Sequence, residues 1–270
     1  MAAENTSPER RENADAQPFV VPCARLDPQA PRRWLKRGWQ DLQRARRLSL
    51  TYGLVIALVS ALVSWAAWNL GRFALLAGLL SGFVYVAPLV AAGLYSVSRS
   101  LEADFEPSFI RSVRLARHIL GQAGVFALIQ VVILLVWSRS GMMLNAFFPI
   151  EQGGTGVVLQ FLGIGSLIGS VFAALTFASA AFSLPMIADR EVDMVTACVS
   201  SINAVLRNKW VCLKWALYIV LLTGVGLATA FVGLIVVMPW LAYAAWHGYR
   251  ETLDASRWPR LRSNPDVPGA

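Results

Sequence analysis

The sequence predicts an all-α membrane protein, a polytopic bundle of six transmembrane helices arranged as three hairpins, each preceded by a cytoplasmic amphipathic helix. Three observations support this fold. The 270 residues are 56% hydrophobic and only 15% charged, whereas soluble domains contain about 25% charged residues. Several apolar runs exceed the ~18 residues that cross ~30 Å of hydrocarbon. The Lys and Arg residues are concentrated in four segments outside those runs.

The apolar runs define the six predicted spans. The last run is nearly forty residues long, with Lys214 as its only charge. Because one tilted helix uses at most about 25 residues, this run is predicted to form two helices joined by a turn at Gly224 and Gly226, where positive φ is permitted. The six spans are Leu48–Leu70, Phe73–Val97, Ile119–Trp137, Val157–Ile187, Val211–Gly224 and Leu227–Tyr249.

The distribution of basic residues predicts the orientation. Ten Lys and Arg residues precede the first span, and four each lie in Arg99–Arg117, in Arg190–Lys214 and after Tyr249. Basic residues favour the cytoplasmic side, and these four segments share one side only if six spans are present. Both termini are therefore predicted to be cytoplasmic. The net charge of +8 then faces anionic lipid headgroups and not nucleic acid, for which no recognition motif is present.

The segments before the odd-numbered spans are predicted to be interfacial helices, because each has an apolar stripe at helical spacing. Trp34 and Trp39 belong to the first of these helices, and Trp210 follows the third as a headgroup anchor for the fifth span. The stripes are Leu35, Trp39 and Leu42, then Phe109, Val113 and Ala116, then Val195, Val199, Ile202 and Leu206.

The even-numbered spans share an ending. Pro88 and Pro239 stand at the same distance before Arg99 and Arg250, with an aromatic residue (Tyr95 or Trp246) at the matching step. Pro185 occupies a similar place in the fourth span. This weak repeat predicts three units. The prolines are predicted to kink packed helices, and a transport hinge at these three prolines is the alternative. Small residues at helical spacing predict contact faces: Gly78 and Gly82, then Gly165, Gly169 and Ala173.

A dense group of charges follows the fourth span, at Asp189, Arg190, Glu191 and Asp193. Acidic residues at this place cap the following helix and complement its dipole, and Arg190 can pair with them. Paired carboxylates also serve in acid–base catalysis, but the sequence offers no nucleophile, metal or oxyanion site beside them. Capping and ion pairing are therefore predicted, and Asp-to-Asn substitutions at 189 and 193 are expected to lower abundance without removing a specific turnover.

The two histidines, His118 and His247, both fall at the predicted cytoplasmic interface. Such a pair could ligate haem or a metal between helices. No carboxylate or cysteine accompanies them at ligand spacing, and the three cysteines fit no metal motif. We predict no cofactor and no metal, with ligation by this pair as the alternative. No HExxH, GxSxG or P-loop motif is present, so the protein is not predicted to be an enzyme.

The two ends of the chain are predicted to lie outside the membrane domain. Residues 1–31 are rich in Ala, Pro, Arg and acidic residues, which is typical of a disordered tail. Residues 251–270 are predicted to form a flexible C-terminal tail, in which Ser256–Ala270 is basic and contains three prolines. The membrane domain is therefore predicted to extend over residues 32–250.

Five segments carry a family resemblance, in the order GWQDL, SLTYG, APLVAAGLYSVSRSLE, FSLPMIADREVDMVTA and PWLAYAAWHGYR. With these segments the chain resembles the bacterial inner-membrane proteins catalogued as domain of unknown function 2189, from Trp34 to about Tyr249. The resemblance implies a six-span protein of the Gram-negative inner membrane. It implies no catalytic or cofactor-binding residue.

These observations together predict a non-enzymatic accessory or scaffold protein that contacts anionic lipid headgroups and another membrane complex. Six residues are predicted to anchor its cytoplasmic face: Trp34, Trp39, Arg99, Arg190, Trp210 and Arg250. The alternative is a carrier for a small neutral or apolar solute, with Pro88, Pro185 and Pro239 as flexing points. A carrier would have a polar-lined cavity among its spans.

Overall fold

A computed structural model of the chain describes residues 18–70, 90–147 and 154–261. Within these ranges the regular structure is helical, apart from two isolated bridges between extended residues, which confirms the all-α prediction. The helices are α1 (Ala30–Arg44), α2 (Arg46–Leu70), α3 (residues 90–102), α4 (Phe109–His118), α5 (Leu120–Phe147), α6 (Thr155–Ala180), α7 (Ser183–Asp189), α8 (Met194–Arg207), α9 (Lys209–Ala228) and α10 (Leu234–Thr252).

Four segments in the described ranges are long and apolar enough to cross a membrane. Most of the predicted second span lies in residues 71–89, outside the described residues. Helix α10, which contains most of the predicted sixth span, is not among the four, because the polar residues at its end lower its mean hydropathy. The four candidate spans are Arg46–Ala66, Leu120–Leu144, Gly156–Asp189 and Lys209–Ala228.

The long apolar run near the C-terminus forms two helices, but the turn is not where the glycines predicted it. It lies at residues 229–233, and Ala230 and Phe231 have φ of 51° and 70°. The backbone N–H of Gly233 donates to the Thr229 hydroxyl at 2.8 Å. Gly226 is helical and packs directly against Leu234, so this glycine provides a close contact and not the turn.

Two predicted span boundaries also differ from the structure. Helix α5 continues to Phe147, so Arg139, expected in a loop, lies within the helix. The predicted fourth span is divided between α6 and α7. Pro185 lies in the first turn of α7, where its missing N–H removes no helical hydrogen bond. The helix break at residues 181–182 accommodates this proline.

Helix α10 is the centre of the described fold. Helix α1 crosses it so closely that a Cβ added to Gly38 would lie 2.6 Å from the backbone nitrogen of Ala244. Gly53 of α2 lies against the backbone of Ile235 on the same helix. The backbones of α1 and α2 therefore approach α10 closely at these two glycines.

The two tryptophans of α1, both predicted to be interfacial, differ in exposure. Trp34 is fully buried, with its ring edge-on to Phe182 and Trp215 at centroid distances of 6.2 and 5.6 Å. Trp39 is exposed on one side and packs on Trp240. At Trp34 the apolar face of α1 thus packs against other parts of the chain and not against lipid, because α10 and neighbouring helices cover this face.

The predicted apolar stripe of α8 faces away from the bundle. Val195 and Leu206 are exposed, whereas Ala197, Ser201 and Ala204 are buried. Small side chains permit close helix approach, so they form the packed face and the larger apolar residues point outward. Helix α4 behaves similarly, since it buries Ser112 and Leu115 and exposes Phe109.

Parts of both predicted tails are folded against the helices. Residues 18–29 and 253–261 meet at a bridge between Cys23 and Leu253, and the backbone N–H of Asp254 donates to the carbonyl of Pro22 at 2.9 Å. Val21 and Trp258 are buried. Apolar side chains within these polar segments, outside the predicted boundaries at 31 and 251, therefore pack on the bundle.

A buried charge cluster as the candidate functional site

The charged ends of α3, α7 and α10 meet in one buried cluster. It contains three carboxylates and three guanidinium groups, so its formal charges balance when its histidine is neutral. Five of its residues were predicted as functional positions, and they arrive from three separate helices. We call it the charge cluster; its members are Asp41, Ser98, Arg99, Glu102, Asp189, Arg190, His247, Tyr249 and Arg250.

Asp189 is the centre of one half of the cluster and is only 3% exposed. The Tyr249 hydroxyl donates to its Oδ2 at 2.9 Å, and Arg190 Nε donates to the same oxygen at 3.1 Å. Arg250 Nη1 lies 3.6 Å from Oδ2, and Arg99 Nε lies 3.8 Å from Oδ1. One carboxylate thus neutralises part of the charge of three arginines.

The two buried arginines also bind backbone carbonyls. Arg99 donates from Nη1 to Ala188 at 3.0 Å and from Nη2 to Leu261 at 3.3 Å. Arg190 donates from Nη1 to Trp258 at 2.8 Å. Buried ions are tolerated when their remaining donors are satisfied. These bonds meet that need and attach the C-terminal segment, residues 253–261, to the bundle.

His247 joins Asp189's half of the cluster to a second buried carboxylate. Its Nε2 lies 2.8 Å from Asp41 Oδ2, and its Nδ1 lies 3.8 Å from Glu102 Oε1. Ser98 donates to the same Asp41 oxygen at 2.8 Å. Glu102 in turn lies 3.4 Å from Arg250 Nε. A continuous series of charged groups therefore links α1 to α7.

This arrangement has the residue types of a catalytic triad but not its connectivity. A triad needs the imidazole between the hydroxyl and the carboxylate, so that it can take the hydroxyl proton. Here the carboxylate of Asp41 lies between Ser98 and His247, and Ser98 is fully buried. The geometry holds helices together and does not activate a nucleophile.

The acidic residues after α7 have separate roles. Asp193 is the N-cap of α8, where its carboxylate accepts the N–H of Thr196 at 2.9 Å. Burial raises the pKa of Asp193, but hydrogen bonds from Thr196 outweigh it and hold the pKa below its ordinary value. Asp189 caps no helix, because it ends α7 and faces the arginines. Glu191 is exposed and donates its backbone N–H to Pro259.

The two histidines lie in different surroundings. His247 is buried within the charge cluster, whereas His118 is exposed on a cleft of about 310 Å³ with Gln122, Arg190 and Asp193. In the described part of the chain no group of three His, Cys, Asp or Glu residues is placed to hold a metal ion. The structure does not bring His118 and His247 onto a common ligand position.

The other predicted positions are scattered. Trp210 begins α9 and is 72% exposed; Pro239 lies within α10. Pro88 falls outside the described residues. The structure brings together Arg99, Asp189, Arg190, His247 and Arg250, but not Trp34, Trp39 or Trp210.

Sequence reasoning missed Asp41, Ser98, Glu102 and Tyr249. A signal was available for Asp41, because it stands seven residues after Trp34 and this spacing places both on one helix face. An acidic residue on a buried face requires a partner. The other three stand beside predicted residues at the ends of α3 and α10, but their partners lie at distances of up to about 150 residues in sequence, beyond any local pattern.

Comparison with known proteins gives one match. Residues 75–189 match a family model described as "Predicted integral membrane protein (DUF2189)". The match ends at Asp189 and includes Ser98, Arg99 and Glu102. No curated protein and no solved structure matches the chain.

Proposed function

Because residues 75–189 belong to the DUF2189 family of predicted integral membrane proteins, we propose that this chain is a non-enzymatic accessory or scaffold protein of the bacterial inner membrane. It contacts anionic lipid headgroups and the spans of another membrane complex. Its charged residues stabilise the bundle, and its outer apolar faces provide the contact surface.

The outer surface of α6 is the observation that carries this proposal. Leu159, Leu167 and Val171 are all more than 60% exposed, and the most apolar stretch of the candidate span has no buried residue. Within the described chain α6 packs on α5, where Gly165 meets Leu144 and Gly169 meets Trp137. Its C-terminal end packs on α8, where the Ser201 hydroxyl donates to the carbonyl of Ala178 at 2.6 Å. A helix that is apolar all round needs cover from lipid or from other helices, and in the described part of the chain most side chains of α6 are exposed.

Contact with lipid headgroups is supported at the junction of α8 and α9. Leu206 and Trp210 are exposed there, and Arg207 and Lys209 stand between them. Tryptophan with adjacent basic residues is typical of the headgroup level of a bilayer. Basic residues near anionic lipid contribute about 1 kcal/mol each.

Six spans with both termini cytoplasmic form part of the proposal. Its support is the separation of α9 from α10 and the helical residues 90–102. We expect a reporter inserted between α5 and α6 to report the periplasm and a C-terminal reporter to report the cytoplasm. A control insertion in residues 103–108 should match the C-terminal one. Equal signals from the first two reporters would refute six spans.

The scaffold role is tested by photo-crosslinking in living cells. We expect a crosslinker at Leu167, which is 67% exposed on α6, to yield one discrete protein adduct that also co-purifies with the tagged chain. Val220 on α9 is 66% exposed and serves as the matched position, where the adduct should be weaker or absent. Lipid adducts alone at Leu167, with no co-purifying protein, would count against a scaffold.

The carrier alternative required a polar-lined cavity. The large cavity among α2, α3, α9 and α10 has a volume of about 350 Å³ and mainly apolar walls. This lining favours an apolar ligand over a neutral polar solute. The carrier alternative is therefore proposed only in its apolar form.

A further inference from the structure

The cavity among α2, α3, α9 and α10 has the size of a ligand site, since such sites begin at about 300 Å³. Its floor is Leu241, Ala242 and Ala245 of α10, and Trp215 and Val55 belong to its walls. Two alanines at the floor create the space, because larger residues there would fill it. The volume of the cavity therefore depends on these small residues of α10.

We place the cavity at hydrocarbon depth from its distance to the charged ends of two candidate spans. Val55 stands nine residues beyond Arg46, and Trp215 six beyond Lys209, which correspond to roughly 14 and 9 Å along a helix axis. Val55 and Val59 line the cavity and are also 49% and 39% exposed. The opening therefore lies on the outer apolar surface of α2, where a ligand would enter from the bilayer.

One wall of the cavity offers a hydrogen-bond donor. Tyr95 lines it one turn before Arg99, and its hydroxyl has no hydrogen-bond partner among the described residues. The indole N–H of Trp246, whose ring stacks on Tyr95 at 6.4 Å, is buried without a partner among the described residues. Trp246 is not among the residues that line the cavity, whereas Tyr95 is, so the Tyr95 hydroxyl is the donor that a ligand with an acceptor at this level would meet.

We propose that this cavity binds one acyl chain of a single membrane phospholipid, with an ester carbonyl accepting a hydrogen bond from the Tyr95 hydroxyl. An acyl chain matches the apolar walls and supplies the dispersion contacts that an empty cavity lacks. The ester carbonyl of a phospholipid lies just inside the headgroups, which is the depth of Tyr95 relative to Arg99. The assignment is independent of the scaffold role.

The test measures phospholipid retained per protein by native mass spectrometry of the full chain, purified in mild detergent. Ala242→Leu places extra atoms in the cavity and is expected to lower the occupancy of the retained phospholipid about tenfold or more. Ala174 of α6 is exposed outside the cavity, and Ala174→Leu is expected to retain the phospholipid. Equal retention by the two variants would overturn the proposal.

Tyr95→Phe tests the carbonyl contact without changing the cavity volume. Loss of one hydrogen bond is expected to weaken retention about fivefold; unchanged retention would overturn the role of Tyr95. Unfolding temperatures show whether Ala242→Leu still folds, and Ala245→Val is the smaller substitution for the same test. Recovery of an isoprenoid lipid, or of no lipid, from the unmodified protein would overturn the phospholipid assignment whatever the crosslinking at Leu167 shows.

Discussion

Asp189→Asn is expected to lower the free energy of unfolding by about 3–5 kcal/mol, the usual effect of removing one partner from a buried ion pair. The substitution keeps the shape of the side chain and removes its charge. Arg190 at 3.1 Å, Arg250 at 3.6 Å and Arg99 at 3.8 Å then face a neutral amide. The measurement is thermal unfolding in detergent, with a decrease of roughly 10 °C expected.

Asp193→Asn is the matched control, because it makes the same chemical change four residues further along the chain. Asn is as good an N-cap as Asp, and the carboxylate of Asp193 accepts from Thr196 without a buried arginine beside it. Its effect is expected to stay within about 0.5 kcal/mol, which revises the expectation from the sequence that both substitutions lower abundance. If the two variants unfolded at the same temperature, Asp189 would not be the residue that stabilises the three arginines.

Gly38→Ala is expected to be the most damaging single-methyl addition in α1, with a loss of about 3 kcal/mol in the free energy of unfolding. The new Cβ would lie 2.6 Å from the backbone nitrogen of Ala244 and 3.0 Å from the carbonyl oxygen of Trp240. Backbone atoms of a helix cannot rotate away, so α1 must separate from α10. Loss of folded protein after membrane extraction, read by fluorescence-detected size exclusion, is the measurement.

Gly163→Ala makes the same change where there is space. Gly163 lies within α6, and no atom of the described residues lies within 4 Å of the added Cβ. Alanine is the better helix former by up to about 1 kcal/mol, so this variant is expected to equal or exceed the unmodified protein. If Gly38→Ala behaved in the same way, the close crossing of α1 and α10 would be wrong.

The weak repeat of the even-numbered spans acquires a physical meaning in the charge cluster. Arg99 and Arg250, which occupy matching positions after Pro88 and Pro239, both approach Asp189. Their matching aromatics, Tyr95 and Trp246, stack on one another. The repeat puts similar residues at similar positions along two helices. In the folded chain these helices bring both arginines close to Asp189.

The predictions that held depend on local properties of the chain. Length and apolarity of a run determine whether it is helical and long enough to cross hydrocarbon, and the capping position of Asp193 follows from its place before α8. The turn at residues 229–233 was predicted too early in the chain, at Gly224 and Gly226. A glycine can form a turn or permit a close helix contact, and only the contact with Leu234 shows that Gly226 does the second. In a sequence alone, a glycine is compatible with both a turn and a close helix contact.

The amino-acid sequence alone determined the helical class, the match of residues 75–189 to a family model and the presence of several apolar spans, because each depends on composition or spacing within a stretch of the chain. Only the tertiary structure decided that Trp34 is buried, that residues 253–261 pack on the bundle and that Asp41 pairs with His247. These outcomes depend on which helices become neighbours. An amphipathic stripe indicates only that one face of a helix avoids water. Contact with lipid and contact with protein satisfy that requirement equally well, so the stripe does not distinguish them.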